Sequence, residues 1–178
     1  MSRRWREIPS LLRTPAGRSS LLSGVRGQAW PILLPLATLY RRTFARNARI
    51  VAVVGSFGKS TTMRAVTVAF GRNVHRRAMF NAKNSVAGAI FRVRAADRHA
   101  VIEVGIDKPG KMAMYARLVL PNITVVTSIG SEHNRSLKTL EITRSEKAAM
   151  VRILPSSGLA VLNGGRFVMR ASRRLRAA

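Results

Sequence analysis

The stretch IVAVVGSFGKSTT, residues 50–62, limits what this chain can fold into more than any other. Its first five residues are apolar and mostly β-branched, on consecutive positions. A strand with one solvated face alternates apolar with polar; one without alternation is covered on both faces, as inside a parallel sheet. Glycines at 55 and 58 then break the strand, and a helical pattern follows. Strand, glycine turn and helix in that order bring backbone N–H groups to the positive end of a helix dipole, a setting that favours an anion. The spacing is G-x-x-G-K-[ST]; Val53 stands where the longer phosphate-loop pattern has its first glycine. Gly55, Ser56, Phe57, Gly58, Lys59, Ser60 and Thr61 are therefore the candidate phosphate contacts. The Lys59 ammonium suits terminal phosphates, and the Ser60 hydroxyl suits a magnesium ion bound with them.

The rest of the chain alternates in the same way. Helical patterns are expected over residues 61–70, 85–93, 109–120 and 140–154, with Pro109 in the first turn of the third. Strands are expected over 77–80, 100–105, 123–128 and 159–162. This order predicts an α/β fold, a parallel sheet with helices on both faces. Ligands of such sheets bind beyond the carboxyl ends of the strands. The segments directly after the strands therefore carry most of the functional interest: 55–60, 81–84, 103–107 and 128–133.

Charge sets the next limit. Lys+Arg is 32 against Asp+Glu 7, a net charge of +25, and the excess is spread along the whole chain. Such a field attracts polyanions. No dense basic block with interleaved aromatics accompanies it, so nucleic acid is not the expected partner. Cysteine is absent, which removes disulfides and thiolate chemistry. Residues 29–40 are the most apolar stretch, too short to span a bilayer and interrupted by Pro31 and Pro35. Residues 1–35 form a basic leader with the composition of a transit peptide. They also resemble an arm on an anionic membrane surface, with Trp5, Leu11, Leu12, Leu21, Leu22 and Trp30 as apolar anchors; the plainer reading is a poorly ordered leader. Residues 164–178 form an arginine-rich tail with five arginines and no acid.

The ordered strings GSFGKSTT, NAKN, IEVGIDKPGKM, PNITVVTSIGSEH, EK at 146–147 and GLAVLN together resemble the central ATP-binding domain of the Mur ligase family. Within that family the likeness is to the branch that adds a dipeptide to a UDP-muramoyl-tripeptide. Cyanophycin and polyglutamate synthetases carry related domains. The resemblance covers residues 36–163 and implies a phosphate-loop fold, incomplete at its C-terminal end. It implies ATP and Mg2+ as cofactors, and ATP-dependent amide formation through an acyl phosphate. A UDP-muramoyl-peptide or another carboxylate would be the substrate. The location implied is cytoplasmic, with peripheral membrane attachment if the leader serves as an arm.

The same resemblance gives roles to single residues. Glu103, closing the strand AVIEVG, matches a glutamate that binds magnesium; by its position alone it is a strand-end carboxylate. Asp107 is a weaker candidate that also suits a helix start. His133 matches a histidine near a second magnesium, although that ion prefers oxygen. Lys147 falls inside an apolar arc with Leu140, Met150, Val151 and Leu154, where a lysine snorkels or has a partner. In the family the matching lysine is carbamylated and helps to hold metal. Asn84, with Asn81, matches an asparagine-rich loop near the phosphates, but Lys83, Ala87 and Ala89 depart from that loop's pattern. Lys59, His133 and Lys147 are the implied catalytic residues, and Ser60, Glu103, His133 and carbamylated Lys147 the implied metal ligands. The domains for the UDP-sugar and for the incoming amine have no counterpart in the sequence. A truncated ligase is therefore expected, with a magnesium–ATP-binding module, a pseudo-enzyme or a cyanophycin- or polyglutamate-synthetase-like ligase as the alternatives.

Overall fold

The uninterrupted apolar run becomes β1 (Arg49–Val54), with every residue after Arg49 buried. A computed structural model describes residues 30–71, 86–106, 108–130 and 139–163. The chain divides into two units, Met1–Leu36 and Ala37–Ala178. Of the first, only residues 30–36 are described; they form the opening turns of a helix, α1, that runs over residues 30–42. The expectation that Pro31 and Pro35 interrupt this stretch is corrected. Pro31 sits in the first turn, where its missing N–H would have no intrahelical partner anyway, and Pro35 removes one bond just beyond that turn. Among the described residues no helix is long and apolar enough to cross a membrane.

In the second unit, β1 is followed by α2 (Lys59–Ala69), α3 (Val86–Ile90), β2 (His99–Glu103), α4 (Lys111–Val119), β3 (Ile123–Val126), α5 (Leu140–Arg152) and β4 (Leu159–Leu162). The four described strands form one sheet in the order β2-β1-β3-β4. All three pairings are parallel, with Val53 beside Glu103, Val54 beside Val126, and Val126 beside Leu162. The α/β architecture is thus as the alternation implied. The first strand in sequence lies inside the sheet, which is why its apolar run never alternates.

Side chains leave the two faces of β1 in turn. Val51 and Val53, with Val101 of β2, pack against Met63, Val66 and Phe70 of α2. On the opposite face Thr124 of β3 donates its hydroxyl to the Met150 carbonyl of α5, 3.0 Å away. That hydroxyl is buried, so an unpaired version would be costly.

Element ends explain the remaining differences from expectation. Helix α4 starts at Lys111, after Gly110 rather than at Pro109. Gly110 has φ 82 and no side chain with which to cap the helix. The Glu146 carboxylate of α5 takes over that role, accepting from Gly110 N at 2.7 Å and Met112 N at 3.2 Å. At the other end Leu120 adopts φ 47, an uncommon conformation for a branched side chain. Arg41 braces it: Nε donates to Val119 O at 3.0 Å, Nη2 to Leu120 O at 3.1 Å, and Nη1 to Ala45 O at 2.6 Å. Burial lowers the Arg41 pKa below its ordinary value. Leu140 is also corrected: it is exposed, because it opens α5 directly after the Thr139 cap, and the buried face is Thr143, Lys147 and Met150.

The expected strand at 77–80, the leader up to residue 29 and the arginine-rich tail lie outside the described residues.

Candidate functional site

Three chain segments leave the sheet side by side at the carboxyl ends of β1, β2 and β3. The first is the glycine turn. Gly55 has φ 150, and a Cβ there would overlap the Thr127 hydroxyl and press on Ser128 N, so only glycine fits. Gly58 caps α2 at φ 77. The opening N–H groups of α2 have no acceptor within the helix, and they face the turn. The Lys59 ammonium folds over the turn and donates to Ser56 O at 2.6 Å.

The second segment ends β2. Glu103 is only 2% exposed, and Ser60 Oγ donates to its Oε2 at 2.7 Å. The expectation that Glu103 projects at the same sheet edge as the phosphate loop therefore holds in atomic detail. A hydroxyl and a carboxylate in contact, one on a phosphate-type turn and one on the adjacent strand, form a pair of hard oxygen donors. Such a pair suits magnesium, which prefers one or two carboxylates together with phosphate oxygens. Among the described residues no group of three or more His, Asp or Glu side chains gathers into a metal cluster.

The third segment follows β3 and was only partly visible from sequence. Residues 127–130 bond to the phosphate turn along its length. Ser56 N donates to Ser128 O at 2.9 Å, and Phe57 N to Ser128 Oγ at 2.8 Å. Thr127 Oγ1 donates to Phe57 O at 2.6 Å. Ser56 Oγ donates to Gly130 O and accepts from Gly130 N, both at 2.9 Å. The amides of Ser56 and Phe57 are thus committed inside the protein. Sequence reasoning flagged 128–133 as a post-strand segment but assigned Thr127 to the strand. The hydroxyl pair Thr127–Ser128 directly after an apolar strand was the available signal.

Lys147 is 3% exposed, on the α5 face shared with Thr143 and Met150. A lysine this deep is out of reach of ordinary snorkelling. Asn81, Asn84, Asp107 and His133 lie outside the described residues.

Comparison with known proteins agrees with this fold. The Mur ligase middle domain family matches residues 53–176. The UDP-N-acetylmuramoyl-tripeptide–D-alanyl-D-alanine ligase of Mycobacterium tuberculosis is 26% identical over 183 residues, covering 96% of this chain and 36% of the relative. The Escherichia coli ligase of the same name is 28% identical over 120 residues, covering 65% of this chain and 26% of its own. Among solved structures, MurF from Acinetobacter baumannii superposes with TM-score 0.63 at 22% identity, over 73% of this chain and 29% of that one. MurF from Thermotoga maritima in complex with ADP gives TM-score 0.61 at 22% identity, over 74% and 31%. These structural likenesses establish the fold. The chain spans about a third of the length of the M. tuberculosis relative.

Proposed function

Since the chain belongs to the Mur ligase middle-domain family, we propose that it binds magnesium–ATP and supplies the nucleotide-binding part of an ATP-dependent amide ligase. The observation that carries this is the contact between Ser60 and Glu103 beside a glycine turn, at the carboxyl edge of a parallel sheet. In the complete reaction a carboxylate oxygen of a UDP-muramoyl-peptide attacks the γ-phosphorus of ATP. The bond to the β-γ bridging oxygen breaks, ADP leaves, and an acyl phosphate forms. An amine then attacks the acyl carbon and releases phosphate. The relatives are named as ligases of D-alanyl-D-alanine, and that dipeptide is the amine proposed here.

The chain's own residues bind and orient. The amides from Gly58 onward hold phosphate oxygens, with the dipole of α2 behind them. Lys59, within reach of the turn, offsets charge that builds on the leaving phosphate. Ser60 and Glu103 would hold the magnesium ion, and His133 and a carbamylated Lys147 are proposed to complete its surroundings. The metal, when bound, would neutralise phosphate charge as the γ-phosphoryl group transfers. Asn84 is proposed to approach the phosphates. A cytoplasmic reaction that consumes ATP is part of this proposal.

Calorimetric titration of the chain with ADP, with and without magnesium, tests the reading. Binding that needs magnesium, and falls roughly a hundred-fold on Lys59→Ala, is expected. Equal binding of ADP by wild type and Lys59→Ala would overturn it.

A further inference from the structure

We infer that the segment after β3 is a brace that sets the shape of the phosphate turn, and that Thr127 and Ser128 are positioning residues for nucleotide binding. The inference rests on the proposed nucleotide site and adds residues to it that neither the glycine motif nor the metal pair contains.

A short glycine turn does not fix its own shape. Residues 55–58 carry two glycines at positive φ, at positions 55 and 58. Glycine confers access to such backbone shapes but does not select one, because its unfolded and alternative states are equally open to it. Something outside the turn has to choose the conformation. In this chain the choice is made by side-chain hydroxyls some 70 residues away. Phe57 lies at the centre of the turn, and both of its backbone polar groups are tied down: Ser128 Oγ accepts its N–H at 2.8 Å, and Thr127 Oγ1 donates to its carbonyl at 2.6 Å. A second, longer bond from Ser128 Oγ reaches the same carbonyl at 3.2 Å.

The next residue inward is fixed by a reciprocal pair. The Ser56 hydroxyl both donates to and accepts from the backbone of Gly130, and Ser56 is buried to 1% exposure. Packing closes the arrangement. The Phe57 ring lies over Gly130 so closely that a Cβ there would sit 2.8 Å from its Cε2. The Gly55 Cα in turn abuts the Thr127 hydroxyl, where any side chain would overlap. Turn and brace thus exclude side chains from each other at both ends and exchange hydrogen bonds between.

Two consequences follow for binding. The amides of Ser56 and Phe57 are consumed by the brace, so they do not compete for the anion. The start of α2, which the turn leads into, is held in one orientation before the nucleotide arrives. Preorganised donors bind phosphate without the entropic cost of ordering a glycine loop. The Thr127 hydroxyl is the critical link, since its single proton is the short donor to the Phe57 carbonyl.

The test uses the full chain and Mg–ADP as the probe. Thr127→Val keeps the shape of the side chain and removes the donor; Thr127→Ser restores the donor without the methyl group. Thr127→Val is expected to weaken Mg–ADP binding by at least roughly ten-fold, while Thr127→Ser stays within about two-fold of wild type. The ligand-free melting temperature of each is measured beside it. Rescue by serine is the readout that loss of mere packing would not produce. Wild-type affinity in a folded Thr127→Val chain would overturn the inference. If Thr127→Val does not fold, Ser128→Ala, which removes the acceptor of the exposed Phe57 N–H, decides instead: weakened binding supports the brace and unchanged binding refutes it. Lys59→Ala separates the two readings. A wild type that binds no Mg–ADP sinks the proposed function itself, whereas binding that depends on Lys59 but not on the Thr127 hydroxyl sinks only the brace.

Discussion

Arg41 shows how much a single side chain can decide when it is buried among carbonyls. Its guanidinium meets Val119, Leu120 and Ala45 through their backbone oxygens, at the negative end of the α4 dipole. Burial lowers its pKa, so the surroundings disfavour the charge, and its hydrogen bonds offset that penalty. The sign follows directly. A lowered cation pKa means the folded chain binds this proton less tightly than the unfolded one, so the charge costs stability through the neutral range and that cost is relieved only at strongly alkaline pH. Around neutrality the net benefit comes from satisfying the carbonyls, above all that of Leu120 in its left-handed conformation. Arg41→Met, which keeps the stem and removes the donors, is expected to destabilise the fold by about 2–4 kcal/mol. Thermal melts check this, and Arg41→Lys should recover only part of the loss, because one ammonium cannot meet three carbonyls in a fixed fork. Nothing in the local sequence marks Arg41 apart from the other arginines. Its role depends on contacts nearly 80 residues away in the chain.

At the scale of elements, local pattern and long-range contact divide the credit. The buried strand, the turn and α2 were legible because each is written in consecutive residues: an apolar run, two glycines, a helical period. Strands β2, β3 and β4 appear within a residue or two of the expected positions at their starts, for the same reason. Glu103 at the edge beside the turn was also legible, because parallel strands bring their carboxyl ends together. The start of α4 was not, since its cap comes from Glu146 on another helix. Nor was the brace at 127–130, whose partners lie across the sheet edge. Helix α1 was hidden by its prolines, which local propensity counts heavily and a first turn tolerates. The cap from Glu146 carries its own expectation. Glu146→Ala leaves Gly110 and Met112 N–H groups without that acceptor and removes a carboxylate from a helix N-terminus. A loss of about 1–2 kcal/mol is expected. Hydrogen exchange should quicken first in the opening turn of α4, while α2 keeps its protection.

At the scale of the whole molecule, a chain of net charge +25 carries the proposed nucleotide site. Acids are scarce, and three of the four described accept hydrogen bonds within the fold: Glu103 from Ser60, Glu146 at the start of α4, and Asp97 from Arg94 N, while Glu141 lies exposed in the first turn of α5. The general field should draw any polyanion at low salt. Binding to a short duplex DNA is expected to be sequence-blind and to vanish as salt approaches about 0.15 M, whereas Mg–ADP affinity, resting on directed donors, should fall far less. A fluorescence anisotropy titration over salt checks both. The placement of β1 inside the sheet has one more effect. Its two neighbours come later in the chain, and the Ile50 N–H bonds to Asn122, 72 residues on. A nascent chain leaving the ribosome therefore presents its most apolar strand first, both edges bare, through the synthesis of everything that will shelter it, and that interval is when chaperone cover counts most.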